Sequence, residues 1–259
     1  MSSAKRSSPG ANHPMNPSEP CQFLTWDSDF FGCRIARYLD NRMNPQSWQS
    51  ARTWCQTMQI DCLYLLADAH DNHTIRTAED AGFRFVDMRL TLGRSLDSWG
   101  GSSVPPDGVI IRSWDENDLA ELERIARLSF TQTRFFFDPF FSPEKSAEMY
   151  AVWIAKSCHG RAQAVLVAEI DRIAAGFITC RLESGRTLGE IELVGVSEHA
   201  RGRGLGGLLV QASLNWFSNQ RASAVEVVTQ GRNLEAQRLY QRNGFTSKTM
   251  QLWYHKWFR

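Results

Sequence analysis

The chain has 259 residues, 42% of them hydrophobic, with 29 Lys and Arg against 28 Asp and Glu. That length holds one large domain or two modest ones, each with its own core, and a formal net charge of +1 supplies no basic field for nucleic acid or an anionic membrane. No apolar run approaches the roughly 20 residues that span a bilayer, and MSSAKRSSPGANHPMNPSEP at the start has no apolar signal core, so the expectation is a soluble, cytoplasmic protein.

Residues 1–20 are rich in Ser, Pro and Asn and read as a disordered tail. Residues 21–95 have the size of a small domain. A composition break comes next, from Gly93 to Gly108 (GRSLDSWGGSSVPPDG), whose Gly-Gly-Ser-Ser and Pro-Pro content predicts a linker over 96–108. Residues 109–259 read as a larger domain of mixed α/β (α+β) class, largely antiparallel in its first half. Val109–Trp114 predicts a strand, followed by a helix from Asp115, whose early acids suit the helix dipole. Ser142-Pro143-Glu144 opens a second helix with Pro143 at its first position. Ala164–Ile170, Ile173–Leu182 and Glu190–Val196 predict strands, the first two joined by a tight hairpin at Asp171-Arg172. A helix over Gly204–Asn219, a strand over Ala224–Thr229, a helix over Asn233–Asn243 and a strand near Ser247–Trp257 complete the pattern. Gly244 stands where a left-handed residue should end a helix.

The six cysteines, Cys21, Cys33, Cys55, Cys62, Cys158 and Cys180, form no C-x-x-C pair, and the six histidines form no H-E-x-x-H. The cysteines read as free and mostly buried thiols, and no metal site is expected. A weak internal repeat is visible: Glu79-Asp80-Ala81-Gly82-Phe83 with the strand Arg84–Leu92 echoes Arg242-Asn243-Gly244-Phe245 with the strand after it.

The most suggestive segment runs from Ile191 to Phe217, where a strand enters a glycine-rich turn and an amphipathic helix leaves it. Backbone N–H groups at such a helix start form an anion site, and Arg201 and Arg203 add positive charge. Gly202, Gly204 and Gly207 spell G-x-G-x-x-G, with Glu226 near the place of a ribose-binding acid. Yet Ser197–Arg201 separate the strand from the first glycine, and too few elements remain for a doubly wound sheet. No Lys-Ser/Thr comes after the glycines, so a Walker loop fails as well.

Another pattern fits these residues better. Arg201-Gly202-Arg203-Gly204-Leu205-Gly206 resembles the [Q/R]-x-x-G-x-[G/A] acetyl-CoA loop of the GNAT acetyltransferases. Leu193-Val194-Gly195-Val196 resembles their fourth strand, which carries a bulge and splays from the fifth. Gly195 suits a bulge or a close backbone approach. Asn233-x-x-Ala236-x-x-Leu239-Tyr240-x-x-x-Gly244-Phe245 resembles their second CoA-side motif. The resemblance implies the GNAT fold, a mostly antiparallel mixed sheet flanked by helices, with acetyl-CoA as co-substrate. Pantetheine would pair along the split strand, and the pyrophosphate would rest on N–H groups from Arg203 to Gly207. Tyr240 would protonate the CoA thiolate.

Within the superfamily the chain is similar to dTDP-fucosamine acetyltransferases, which N-acetylate a dTDP-linked 4-amino-dideoxy sugar. The likeness includes Trp26-Asp27-Ser28-Asp29-Phe30-Phe31-Gly32 and Arg134-Phe135-Phe136-Phe137-Asp138-Pro139. It implies that residues 21–95 form a truncated GNAT-like domain. That domain lacks an R-x-x-G-x-G loop, and Ala78 aligns with Tyr240, so it cannot be a second centre of the same kind. It further implies that Arg134 and Asp138 meet phosphate and hydroxyls, with Phe135–Phe137 and Phe140–Phe141 as stacking candidates, although aromatic clusters are more often core. Glu190 and Glu192 alternate onto one strand face, and either could deprotonate the amine, directly or through water; an exposed structural pair is the plain alternative. The oxyanion would meet a backbone N–H near Val194 or Val196. Homodimerisation is a family-level expectation. Two other readings stay open: a GNAT enzyme acting on another small amine or a peptide N-terminus, and a non-catalytic acyl-CoA-binding sensor.

Overall fold

The computed structural model describes residues 19–97, 99–101, 105–182 and 187–258. The expected tail therefore lies outside the described residues but for its last two. The chain divides into two compact units, one of residues up to Val86 with Gln251 onward, the other from Asp87 to Met250. The division thus falls inside two strands and not at 96–108. The reason lies in the packing: Leu96 is buried in the core of the second unit and Trp99 packs against it.

The first unit holds β1 (Cys21–Phe23), α1 (Thr25–Phe31), β2 (Ile35–Tyr38), α2 (Pro45–Thr57), β3 (Cys62–Asp68) and α3 (Asn72–Asp80), and β4 (Arg84–Ser95) begins in it. β1 lies antiparallel to β2, and β2 runs parallel to β3 through the α2 crossover. Asn44 and Ser47 form a reciprocal capping box at the start of α2, with Pro45 at the first helical turn. Ala36, Leu63, Leu65 and Phe83 build the core with Ala51 and Cys55 of α2.

The second unit holds β5 (Val109–Ser113), α4 (Leu119–Ser129), α5 (Arg134–Phe137), α6 (Pro143–Lys156), β6 (Ala164–Ile170), β7 (Ile173–Leu182), β8 (Leu188–Val196), α7 (Leu205–Asn219), β9 (Ala224–Gln230) and α8 (Leu234–Arg242), and β10 (Thr246–Trp257) begins in it. Strands β5, β6, β7 and β8 pair antiparallel in sequence, β8 pairs parallel with β9, and β9 pairs antiparallel with β4. This is the mixed, mostly antiparallel sheet that the glycine-loop resemblance implies. Leu205, Leu209, Leu214 and Phe217 of α7 fill its core.

The helix predicted from Asp115 starts later. Asp115 caps a 3-10 turn over Glu116–Asp118, and α4 begins at Leu119. Asp118 accepts the Asp115 N–H at 2.8 Å and takes Arg112 of β5 in a two-pronged pair at 2.7 and 2.8 Å. Arg112 also reaches Glu169 of β6 at 2.6 Å. Three elements meet on one guanidinium, which matches carboxylates with fixed geometry.

The internal repeat has a structural basis. Gly82 and Gly244 both have φ 77°. Phe83 N–H bonds Ala78 O at 2.9 Å, and Phe245 N–H bonds Tyr240 O at 3.1 Å. Ala78 therefore occupies the place in the first unit that Tyr240 holds in the second. Apart from α1, which has no counterpart between β7 and β8, the order β1-β2-α2-β3-α3-β4 matches β7-β8-α7-β9-α8-β10, with the same antiparallel-then-parallel pairing. The strands after the two glycines are exchanged. Arg89–Ser95 of β4 pair with 224–230 of β9, while Gln251–Trp257 of β10 pair with 62–68 of β3.

The hairpin between β6 and β7 turns through Asp171 at φ 51° and Arg172 at φ 65°, two left-handed residues that are not glycine. That conformation costs an L-residue about 1 kcal/mol or more, while glycine adopts it freely but loses more chain entropy. Arg172→Gly should therefore raise stability by about 0.5–1 kcal/mol and the melting temperature by about 2 °C. Differential scanning calorimetry of the single variant checks this.

Candidate active site

The site begins with a fault in the β7–β8 ladder. Ile178 opposes Val194 and Cys180 opposes Ile191, so Glu192 and Leu193 together face Thr179. The Thr179 hydroxyl accepts the Leu193 N–H at 2.9 Å and fills the gap in the ladder. This bulge lies upstream of Gly195, which stays in register opposite Phe177. Gly195 serves a close approach: a Cβ there would lie 2.8 Å from the Phe177 ring and 3.0 Å from Ile125 of α4.

The extra residue shifts the alternation of β8. Ile191, Val194 and Val196 all pack on the core beneath α7. It also marks where β8 and β9 part, since Ile191–Val227 is their last parallel pair. Glu192–Val196 run on with no partner in β9, leaving main-chain groups for an extended ligand.

The glycine loop leads from this split into α7. Gly202 has φ 75°, and Gly204, at φ 79°, is the residue before the helix and gives it no side-chain cap. The helix consequently starts at Leu205, with its first amides open to an anion. A Cβ on Gly202, Gly204 or Gly207 would meet nothing within 4 Å, so these three leave space, whereas one on Gly206 would press on Leu239 of α8 at 3.3 Å. Arg201 and Arg203 are exposed beside the loop, and Arg201 Nε donates to Val196 O at 3.4 Å.

In α8, Asn233 caps the helix by accepting the Ala236 N–H at 3.0 Å. Ala236 and Leu239 pack on the core. Tyr240 is buried with its ring 5.7 Å from that of Phe245. Burial pushes its phenol well above the usual range near 10. Arg94 donates to the Asn243 carbonyl at the end of α8 and stacks 4.5 Å over Trp99. Trp99 Nε1 in turn donates to Asn215 of α7 at 2.8 Å. Part of the segment predicted as a linker therefore braces the two helices of the loop side.

The two glutamates differ. Glu190 Oε2 accepts from Arg181 Nε at 3.0 Å and Nη2 at 2.6 Å. Glu192 Oε1 lies 3.3 Å from Arg161 and 3.5 Å from Arg181, while its Oε2 is buried without a hydrogen-bond partner. Neither is a bare exposed carboxylate, and the sequence offered no signal for the two arginines, which come from other elements.

Near α5, Phe135 is buried against Phe141 at 5.4 Å, and the Arg134 guanidinium lies 4.2 Å over the Phe135 ring. Asp138 is only 2% exposed and accepts the Phe140 N–H at 3.0 Å, so it shapes its own loop. The open rings of the cluster are Phe137 and Phe140, 48% and 42% exposed. Glu226 pairs with Lys248 at 2.8 Å and does not face the glycine loop's phosphate cradle as a ribose acid would. Among the described residues no group of three His, Cys, Asp or Glu could hold a metal ion, and no helix is long and apolar enough to cross a membrane.

A parted parallel strand pair, an open glycine turn and a helix start free of side-chain caps meet at the candidate site. Residues 122–245 match the family model of the acetyltransferase (GNAT) family, and the chain carries a GNAT acetyltransferase domain. The chain is 24% identical over 235 residues to the dTDP-fucosamine acetyltransferase of Escherichia coli O6:H1, covering 90% of this chain and 96% of that protein. It is 27% identical over 143 residues to the spore coat polysaccharide biosynthesis protein SpsD of Bacillus subtilis, covering 55% of this chain and 49% of that protein. Among solved structures, a GCN5-related N-acetyltransferase from Sphaerobacter thermophilus shares the fold with a TM-score of 0.63 at 20% identity, covering 92% of this chain and 76% of that one.

The open space at Gly207 yields a prediction. Gly207→Val should fold with unchanged or slightly higher stability, because a helical glycine costs about 0.5–1 kcal/mol and nothing obstructs the new side chain. Its affinity for acetyl-CoA should drop at least about tenfold, because the branch occupies the anion cradle. Isothermal titration calorimetry beside a melting curve separates the two effects.

Proposed function

We propose that the protein moves acetyl from acetyl-CoA to the amine of a dTDP-linked 4-amino-dideoxy sugar by direct attack, in building a surface-polysaccharide precursor. The observation that carries this acceptor is the likeness to the E. coli enzyme along nearly the whole of both chains. The residues at the split fit acetyl-CoA: glycines whose Cβ positions are empty, uncapped amides at α7 and a free edge of β8. That co-substrate supplies a thioester-activated acetyl group.

In this reading the amides from Arg203 to Gly207 hold the pyrophosphate, with Arg201 beside them. The edge Leu193–Val196 pairs with the pantetheine amides, and Val194 or Val196 N–H receives the developing oxyanion. Glu192 takes the amine proton, directly or through water, on the Oε2 that has no internal partner. Glu190, gripped twice by Arg181, instead holds that arginine in place. As the carbon–sulfur bond breaks, Tyr240 gives its proton to the leaving sulfur. A phenol held above its ordinary pKa keeps that proton at every working pH. Asn233 serves as helix cap, and Arg134 contributes positive charge at the acceptor side.

The test is CoA-thiol release with dTDP-fucosamine against a panel of simple amines and peptides. Turnover is expected with the nucleotide sugar. Turnover with only another amine would overturn the acceptor, and silence across the panel with acetyl-CoA bound would favour a sensor. Tyr240→Phe and Glu192→Gln should each lower kcat by about 10²-fold or more, the usual worth of a positioned acid or base, with acetyl-CoA affinity unchanged. Because the Tyr240 pKa is raised, its acid form persists to higher pH. The pH–rate profile should therefore show no alkaline loss from this group up to pH of about 10, its unperturbed value.

A further inference from the structure

Asp87 lies outside every motif, yet it is a carboxylate only 2% exposed. A buried charge persists only where donors surround it. Its Oδ1 accepts the Met88 N–H at 2.8 Å and faces Arg232 Nη1 at 3.3 Å. The backbone N–H of Arg134, the first residue of α5, also bonds this carboxylate. Arg232 immediately precedes Asn233, the cap of α8, and its guanidinium lies 3.9 Å over the exposed ring of Phe137 on α5.

The turn that carries Arg232 is itself fixed. Gly231 N–H bonds Met88 O at 2.7 Å, and a Cβ on Gly231 would lie 2.8 Å from the Met88 Cβ. Gln237 Nε2 donates to Gln230 O and Gly231 O at 3.0 Å each.

We propose that Asp87 is a positioning residue: its buried carboxylate ties the α5 loop to the turn entering α8 and holds Arg232 against Phe137 for acceptor recognition. The tie joins the segment that would receive the acceptor to the helix that carries Tyr240. The cation on an open aromatic ring suits an anionic acceptor with a planar or sugar face. This recognition role rests on the proposed acceptor, while the tie itself stands on the contacts of Asp87.

The variant Asp87→Asn keeps the shape and removes the charge. Hydrogen exchange in the acetyl-CoA complex should run about tenfold faster over 131–141, with protection of α7 and the β6–β8 strands unchanged. With the amine that wild type accepts, KM for that amine should rise about tenfold while kcat and acetyl-CoA affinity stay within about twofold. Arg232→Gln, which leaves the buried carboxylate in place, should give the same pattern. The double variant should be no worse than the more severe single one.

Unchanged exchange over 131–141 in both single variants would overturn the proposal. So would a fall in kcat with KM unmoved, or additive effects in the double variant. If Asp87→Asn does not fold, Arg232→Gln alone decides by exchange and KM. If wild type ignores the nucleotide sugar, the acceptor reading fails on its own, and the exchange result still decides whether the tie exists.

Discussion

Thr179 accepts an amide hydrogen bond that a regular ladder would have given to a carbonyl, and by doing so it stabilises one surplus residue in β8. The surplus residue bends the strand and strengthens its twist. Beyond it β8 cannot track β9, so a parallel pair that is continuous up to Ile191 and Val227 opens into a cleft. The cleft places a free strand edge near the start of α7. It also puts Glu192 at the point of divergence, on the bulge itself. The free edge and the placement of the carboxylate are thus consequences of a single register shift.

Helix α7 contributes through what it lacks. A serine or aspartate before Leu205 would occupy the first amides, as Asn233 does at α8 and Asn44 does at α2. A left-handed glycine leaves them open, at the cost of a weaker helix start. The deficit is carried by the apolar face, where Leu205, Leu209, Leu214 and Phe217 are fully buried. Arg94, Trp99 and Asn215 add a polar brace between α7 and α8. Binding capacity and stability are therefore supplied by opposite faces of the same helix.

The parts of this arrangement legible in the sequence are those that depend on near neighbours. Gly202 and Gly204 are needed for their backbone angles, Gly244 and Phe245 for the end of a helix, and Asp171-Arg172 for a two-residue turn. The bounds of β6 and β7 come from two mostly apolar runs on either side of that turn. What the residue string hides depends on partners from elsewhere. Gly195 looks like a bulge residue, but the bulge is set by the hydroxyl of Thr179 on the adjacent strand. Phe135 and Phe137 are equivalent by composition, and only the short turn of α5 buries one and exposes the other. The arginines that engage Glu190 and Glu192 come from β7 and from the turn after α6. Asp87 carries no local signal at all, since its donors beyond Met88 lie in two distant segments.

The exchange of β4 and β10 bears on how the polypeptide assembles during synthesis. The strand that completes the pairing of β3 is β10, which leaves the ribosome after every other described strand. Until then β3 presents an unpaired edge next to a largely apolar face, the kind of surface that invites pairing with other chains. The first half thus emerges early yet closes late, and β4 must wait for β9 in the same way. Closing such distant strands costs little extra in equilibrium terms, because loop entropy grows only with the logarithm of length. The delay falls on the rate of folding, which slows as contacts become more remote in sequence. A nascent chain stalled before Gln251 would leave the β3 edge open, and its vulnerability to aggregation would end only with the arrival of seven residues, 251–257.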